Sequence, residues 1–205
     1  MRKLIYAPMM ALCLLLTACG TGEEKEATAE ELRQLHLDAP GCTMTATVTC
    51  SQEDLLWEGT LRCDYVPGGD STVEVLAPEL IAGVKAIVGE EFALSYEGEV
   101  LNIAPLTSED LSPAVCLPRL MDALRSGWLL EENRETWAET ECIRLVVDQS
   151  GEEHKLVSTL WLRLWDAAPL RAEIAVEDEV ILTAEFTEFS FCDMIESQEE
   201  PSSGK

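Results

Sequence analysis

The feature that most constrains this chain is alternation. Between Thr43 and Phe191 the side chains switch between polar and apolar every second residue, segment after segment, and a period of two belongs to strands with one buried face. Thr43-Met44-Thr45-Ala46-Thr47-Val48-Thr49-Cys50 sets threonine on one side and small or apolar groups on the other. Residues 57–65 repeat the pattern, with Trp57, Leu61, Cys63 and Tyr65 opposed to Glu58, Thr60, Arg62 and Asp64, and the short link at 51–54 makes the two a hairpin. Further strands are predicted at 72–76, 91–96 and 99–103, the last two joined by a tight turn at Glu97-Gly98. Four more, at 141–147, 155–165, 170–176 and 180–191, follow through connections short enough for a meander.

Two stretches break the alternation. Residues 117–125 carry apolar groups at helical spacing before Gly127, and Pro113 and Pro118 are expected to divide that segment into a first turn and a main helix. Residues 78–89 fit a short helix or a buried strand, with Gly83 weakening both. Residues 29–37 can form one or two helical turns before Pro40-Gly41. An antiparallel sheet of this many strands curls. The expected fold is therefore mainly β, a strongly curved antiparallel sheet whose concave side is covered by helices.

The N-terminus reads as an export signal. Arg2 and Lys3 precede an apolar run at 5–16 that is short for a bilayer span, and Leu16-Thr17-Ala18-Cys19-Gly20 resembles the bacterial lipobox. The resemblance implies cleavage before Cys19 and a diacylglyceryl group on its sulfur. The expected organisation is a lipoprotein signal at 1–18, a lipidated N-terminus and flexible acidic tether at 19–41, one domain at 42–192 and a disordered tail at 193–205. Such a chain sits in the bacterial cell envelope, anchored through its N-terminal lipid and facing outside the cytoplasm.

Charge and side-chain inventory narrow the function. The 39 acidic against 14 basic residues, a net of −25, exclude a nucleic-acid binder held by phosphate contacts. Two histidines, His36 and His154, leave little neutral-pH acid–base chemistry. Nucleophile-elbow, zinc-protease, phosphate-loop and EF-hand patterns are absent, so no catalytic residue, metal or cofactor is expected. Acid pairs such as Glu90-Glu91, Glu131-Glu132, Glu152-Glu153 and Glu177/Glu179 read as solvated surface in so acidic a chain.

Eight cysteines, less Cys13 in the signal and Cys19 at the anchor, leave Cys42, Cys50, Cys63, Cys116, Cys142 and Cys192. An even number in an exported chain points to disulfides. Cys50 and Cys63, both on the apolar side of the first hairpin, are the candidate bridge, with the other four left unassigned.

Leu160-Trp161-Leu162, Asp166, Pro169-Leu170-Arg171-Ala172-Glu173-Ile174 and Glu185-Phe186-Thr187-Glu188-Phe189 resemble the C-terminal half of the LolA/LolB-like lipoprotein-carrier superfamily. Pro78-Glu79-Leu80-Ile81-Ala82-Gly83 and Leu94-Ser95-Tyr96-Glu97-Gly98-Glu99-Val100-Leu101 resemble its proline–glycine turn and its tyrosine–glycine hairpin. The resemblance implies a half-barrel enclosing a lipid-accommodating hollow, no catalysis, and carrier, acceptor or holder roles in the envelope. Candidate lining groups are Trp57, Leu61, Tyr65, Phe92, Leu94, Trp161, Leu162, Leu164, Phe186 and Phe189, with lipid or lipoprotein acyl chains as ligand. The alternative is a filled core and a non-enzymatic module that docks an envelope protein, of a germination or envelope-stress type, through a strand edge or aromatic patch.

Overall fold

The computed structural model describes residues 27–52, 55–104, 111–151 and 154–193. The signal segment, Cys19, most of the expected tether and the tail beyond Asp193 lie outside the described residues. Among these residues two helices, α1 (Ala29–Asp38) and α2 (Pro113–Ser126), accompany eleven strands. These are β1 (Cys42–Gln52), β2 (Leu55–Tyr65), β3 (Ser71–Ala77), β4 (Lys85–Val88), β5 (Phe92–Tyr96), β6 (Glu99–Ala104), β7 (Trp128–Trp137), β8 (Thr140–Asp148), β9 (Leu156–Arg163), β10 (Pro169–Val176) and β11 (Glu179–Phe191).

All eleven form one antiparallel sheet in the order β6-β5-β4-β3-β2-β1-β11-β10-β9-β8-β7, open at β6 and β7. Each wing is a meander, and the wings meet where Cys42 pairs with Phe191 and Cys50 with Leu182. The architecture is the expected open, curved half-barrel with helices on its concave side. Among the described residues no helix is long and apolar enough to cross a membrane.

Alternation decides which face is which. Met44, Ala46, Val48 and Cys50 of β1 are fully buried on the concave face, while Thr43, Thr45, Thr47 and Thr49 take the convex one. Leu145, Leu160, Leu162, Ile174 and Ala184 continue the concave surface across the other wing. Against it α2 presses Leu117, Leu120, Met121 and Leu124, all at 0–1% exposure. Each leucine so buried contributes about 2 kcal/mol of transfer free energy.

Three sequence expectations need correction. First, α2 runs unbroken through Pro118. The missing amide hydrogen bond there is outweighed by the burial of Val115, Cys116, Leu117 and Leu120 around it. Second, residues 78–89 are neither one helix nor one strand: a 3-10 turn at Glu79–Ile81 leads into β4. Third, β7 is a ten-residue edge strand where the sequence pointed to none.

The helix at 29–38 is longer than the one or two turns expected, and it is docked. Thr28 and Glu31 form a reciprocal capping box, Thr28 N donating to Glu31 Oε2 at 3.0 Å and Glu31 N to Thr28 Oγ1 at 3.3 Å. Arg33 reaches across to the end of α2, donating from Nε to the Leu124 carbonyl at 2.9 Å and from Nη2 to the Gly127 carbonyl at 2.8 Å. Arg125 of α2 returns the contact to the carbonyls of His36, Leu37 and Ala39. These bonds satisfy helix-terminal carbonyls that have no partner in their own helices.

A candidate apolar binding site

The helices do not fill the concave side evenly. At the C-terminal end of α2 the space is closed by α1, where His36 packs edge-on against Phe191 with ring centroids 5.0 Å apart and tilted on Phe189 at 5.7 Å. His36 Nε2 sits 2.9 Å from the Ala167 carbonyl, to which the neutral ring donates. Burial pushes its pKa down to about 4, and the nearby Arg125 charge adds to that shift. His36 is thus a packed neutral ring and not an acid–base group at neutral pH.

At the other end, under the N-terminus of α2, a cavity of about 250 Å³ remains. Trp57 and Leu61 of β2, Val73 and Val75 of β3, Ala86 of β4 and Leu94 of β5 form its sheet wall. Ile81 and Val84 close it from the β3–β4 connection, and Ser112, Pro113 and Ala114 from the helix. Of these eleven residues only Ser112 is polar, the lining expected of a site for an apolar group. The cavity lies a little below the usual 300–1,000 Å³ range of small-molecule sites.

Local geometry sets the Trp57 wall. The indole lies over Gly59, two residues on along the same face: a Cβ at position 59 would stand 2.5 Å from two ring carbons and 2.6 Å from the Ala77 carbonyl oxygen. Glycine here is a matter of close approach, not of dihedral freedom.

Two larger grooves run beside α2, of about 710 and 450 Å³, sharing Val88, Gly89, Pro118 and Asp122. They carry Asp70, Glu90, Glu91, Arg119, Asp122 and Asp148, so their size does not suit them to an apolar chain. Tyr65 Oη donates to Asp122 Oδ1 at 2.5 Å along this wall, tying β2 to α2.

The ten candidate lining groups therefore scatter. Trp57, Leu61 and Leu94 line the apolar cavity, and Tyr65 lines the polar groove. Leu162 is fully buried, while Phe92, Leu164, Phe186 and Phe189 pack against the core as partly buried groups. Trp161 faces away from the hollow altogether. Its neighbours Leu160 and Leu162 are the concave residues, so alternation sends Trp161 to the convex face, in register with Arg144 and Arg171. There it is 8% exposed beneath Trp137 and Arg171, with Nε1 donating to Glu135.

The sequence reading missed Val73, Val75, Ile81, Val84, Ala86, Pro113 and Ala114. Val73 and Val75 were legible, since their strand was predicted and alternation puts both on one side. Ile81, Val84 and Ala86 were hidden in the stretch that fitted two structures.

The cysteines also differ from expectation. Cys63 pairs in register with Met44 and Cys50 with Trp57, six residues apart along β1, or about 20 Å, far beyond the 4.4–6.8 Å that a disulfide spans. All six cysteines from Cys42 to Cys192 are free thiols, five of them buried. Burial pushes the Cys42 thiol up to about 12 and raises Cys50, Cys63, Cys116 and Cys142 in the same direction, so these sulfurs are core groups and not nucleophiles at neutral pH. Among the described residues no group of acids, histidines and cysteines is placed to hold a metal ion.

No family model matches this sequence, and no curated protein matches it. Similar solved structures include a LolA superfamily protein from Nitrosomonas europaea, at 10% identity, with 82% of this chain and 94% of that one covered and a TM-score of 0.42. Another is a putative outer membrane lipoprotein-sorting protein domain from Vibrio parahaemolyticus, at 11% identity, 85% and 95% coverage and a TM-score of 0.42. LprF from Mycobacterium bovis aligns at 15% identity, with 83% and 97% coverage and a TM-score of 0.42. At such identities no residue role passes from them to this chain.

Proposed function

We propose that this protein is an envelope lipoprotein that holds an apolar ligand, the acyl chain of a lipid or of a lipidated protein, in the cavity beneath the N-terminus of α2. The observation that carries this reading is the cavity wall, in which ten of eleven residues are apolar. Each methylene moved from water into such a wall contributes about 0.8 kcal/mol, which is sufficient binding energy without any charged contact. Cys19 is the proposed site of a diacylglyceryl anchor, consistent with the lipobox-like Leu16-Thr17-Ala18-Cys19. No catalytic role is assigned to any residue.

The test is to produce residues 20–205, which carry no anchor lipid, and to identify co-purified lipid by mass spectrometry beside an unrelated exported control. A near-stoichiometric lipid, lost in Ala114→Phe and Leu94→Asp variants that keep the far-UV spectrum, supports the reading. No enriched lipid, together with failure of a fluorescent fatty-acid probe, overturns it. A second reading then takes its place, resting on the ten-residue β7, which ends the sheet among the described residues and so offers an edge for docking a partner strand.

A further inference from the structure

The convex face carries an aromatic feature of its own, at the end where β7 turns into β8 and β9 into β10. Trp161, Arg163 and Trp165 follow at every second residue, and alternation from the concave Leu160 and Leu162 places Trp161 and Arg163 on the convex side. Trp165 joins them, its ring centroid 4.7 Å from the Arg163 guanidinium carbon. Trp137, the last residue of β7, pairs with Thr140, and Arg163 pairs with Cys142 two residues further along β8. Trp165, two residues past Arg163, therefore stands level with Trp137 at two strand spacings, about 10 Å. Trp161 lies beneath Trp137, the ring centroids 5.9 Å apart.

Trp165 is 69% exposed, yet the turn that carries it is fixed. Arg163 N donates to the Ala168 carbonyl at 2.9 Å, Ala167 N to the Arg163 carbonyl at 3.0 Å and Ala168 N to Asp166 Oδ1 at 3.2 Å. The Arg163 side chain donates to both Asp166 oxygens, from Nε at 2.8 Å and from Nη2 at 2.5 Å. An indole held still in water adds little buried surface to the fold and is preorganised for a flat partner.

The border of the rings selects that partner. Arg163 is matched by Asp166, Arg171 by Glu173 and Glu185, and Arg144 by Glu131 and Glu135. Donors and acceptors thus stand side by side with each arginine's charge matched, and an anionic polymer would also meet a chain of net charge −25. The convex neighbours in register, Glu135, Thr140, Arg144 and Glu173, are polar, so the rings lack the apolar surround of a protein interface core.

We propose that this end of the convex face binds an uncharged, extended polysaccharide of β-linked hexose units. The C–H faces of its sugar rings stack on Trp165 and Trp137, and its hydroxyls bond the paired arginines and carboxylates. Two level rings, two strands apart, suit a chain that turns the same face outward at every second unit, as a β-1,4-linked one does. The site is independent of the apolar cavity, which lies on the other side of the sheet.

The experiment titrates the mature lipidated chain, held in a polyoxyethylene detergent that carries no sugar, with the β-1,4-linked hexamers of glucose and of N-acetylglucosamine in a calorimeter. At least one hexamer should bind, and more tightly than its own disaccharide, because two ring platforms engage one chain. Trp165→Ala should weaken binding about tenfold or more, and Trp165→Phe should restore part of it. The Trp165 side chain is exposed, so its removal spares the fold, and far-UV dichroism checks it. Trp128→Ala removes an indole that is 76% exposed at the far end of β7 and should leave binding unchanged. Failure of both hexamers to bind overturns the proposal, as does undiminished binding in Trp165→Ala, an equal loss in Trp128→Ala, or equal affinity for the coiled α-1,4-linked glucose hexamer. So does a patch that takes no sugar but joins two copies of the chain in light scattering, with Trp165→Ala monomeric.

Discussion

The Trp57 indole lies across Gly59, close enough that a Cβ at position 59 would stand 2.5 Å from two of its ring carbons. The ring forms one wall of the apolar cavity, so the smallest residue of β2 sets where the largest one stands. Gly59→Ala should displace the indole into the cavity and press on the Ala77 carbonyl. The expected cost is about 1–3 kcal/mol in urea unfolding, with a larger proportional loss of fatty-acid probe binding than of stability. Unchanged probe affinity would mean that Trp57 is not a wall of the binding site.

His36 makes the fold acid-sensitive. Its folded pKa of about 4 lies below the ordinary 6.5, so between those values the unfolded chain binds the proton that the native ring refuses. The stability from this residue is complete above pH 6.5 and is lost as the pH falls toward 4, by about 3 kcal/mol over the window for a ring this deeply buried. Equilibrium unfolding followed from pH 7 to 4 should show that slope, and His36→Gln, which keeps a donor for the Ala167 carbonyl, should flatten it.

The thiols should respond by burial alone. Of Cys42, Cys50, Cys63, Cys116, Cys142 and Cys192, only Cys192 is exposed. A colourimetric thiol reagent should therefore modify one of these six rapidly in the native protein and all six after denaturation without reductant. Fewer than six after denaturation would reveal a disulfide that the free-thiol structure lacks.

On the convex face Arg171 lies against two rings, its guanidinium carbon 4.7 Å from the Trp137 centroid and 5.8 Å from that of Trp161. The same side chain donates to Glu173 Oε1 at 2.7 Å and to Glu185 Oε1 at 3.2 Å. Lysine has neither the plane nor the fork for this site, so Arg171→Lys should destabilise by about 1–2 kcal/mol. Arg62→Lys, at a surface pair 3.9 Å from Asp64, should change stability by less than about 0.5 kcal/mol.

The strands whose two faces differ in polarity were legible, because burial on one side alone leaves a period of two in the residues. β7 was not. At the sheet edge its residues Glu131, Glu132, Asn133, Arg134 and Glu135 are all exposed, so neither face writes an apolar pattern. Its turn was equally silent: Ala138 and Glu139 both have positive φ, 45° and 67°, the geometry of a two-residue hairpin usually marked by Asn-Gly, and Glu177-Asp178 repeats it without glycine. Glu97-Gly98, at φ 50° and 89°, carried the expected marker and was read.

The site was less legible than the sheet. Alternation alone sorts Trp161 from Leu160 and Leu162, but it does not say which side the helices cover. Likewise Cys50 and Cys63 share a face, yet only the register, pairing each with a residue other than its expected partner, shows that they are far apart.

The junction of β1 with β11 has a consequence for how the chain reaches this state. Every other neighbouring pair of strands closes a short stretch of chain, so each meander can zip from its own hairpins; Cys42 must wait for Phe191. Until then the sheet is two ribbons, and β1 and β11 each present an unpaired edge at what will be the middle of the molecule. A chain ending before residue 179 would lack β11, the strand through which the two ribbons join, and the edges of β1 and β10 left exposed would make it prone to aggregate.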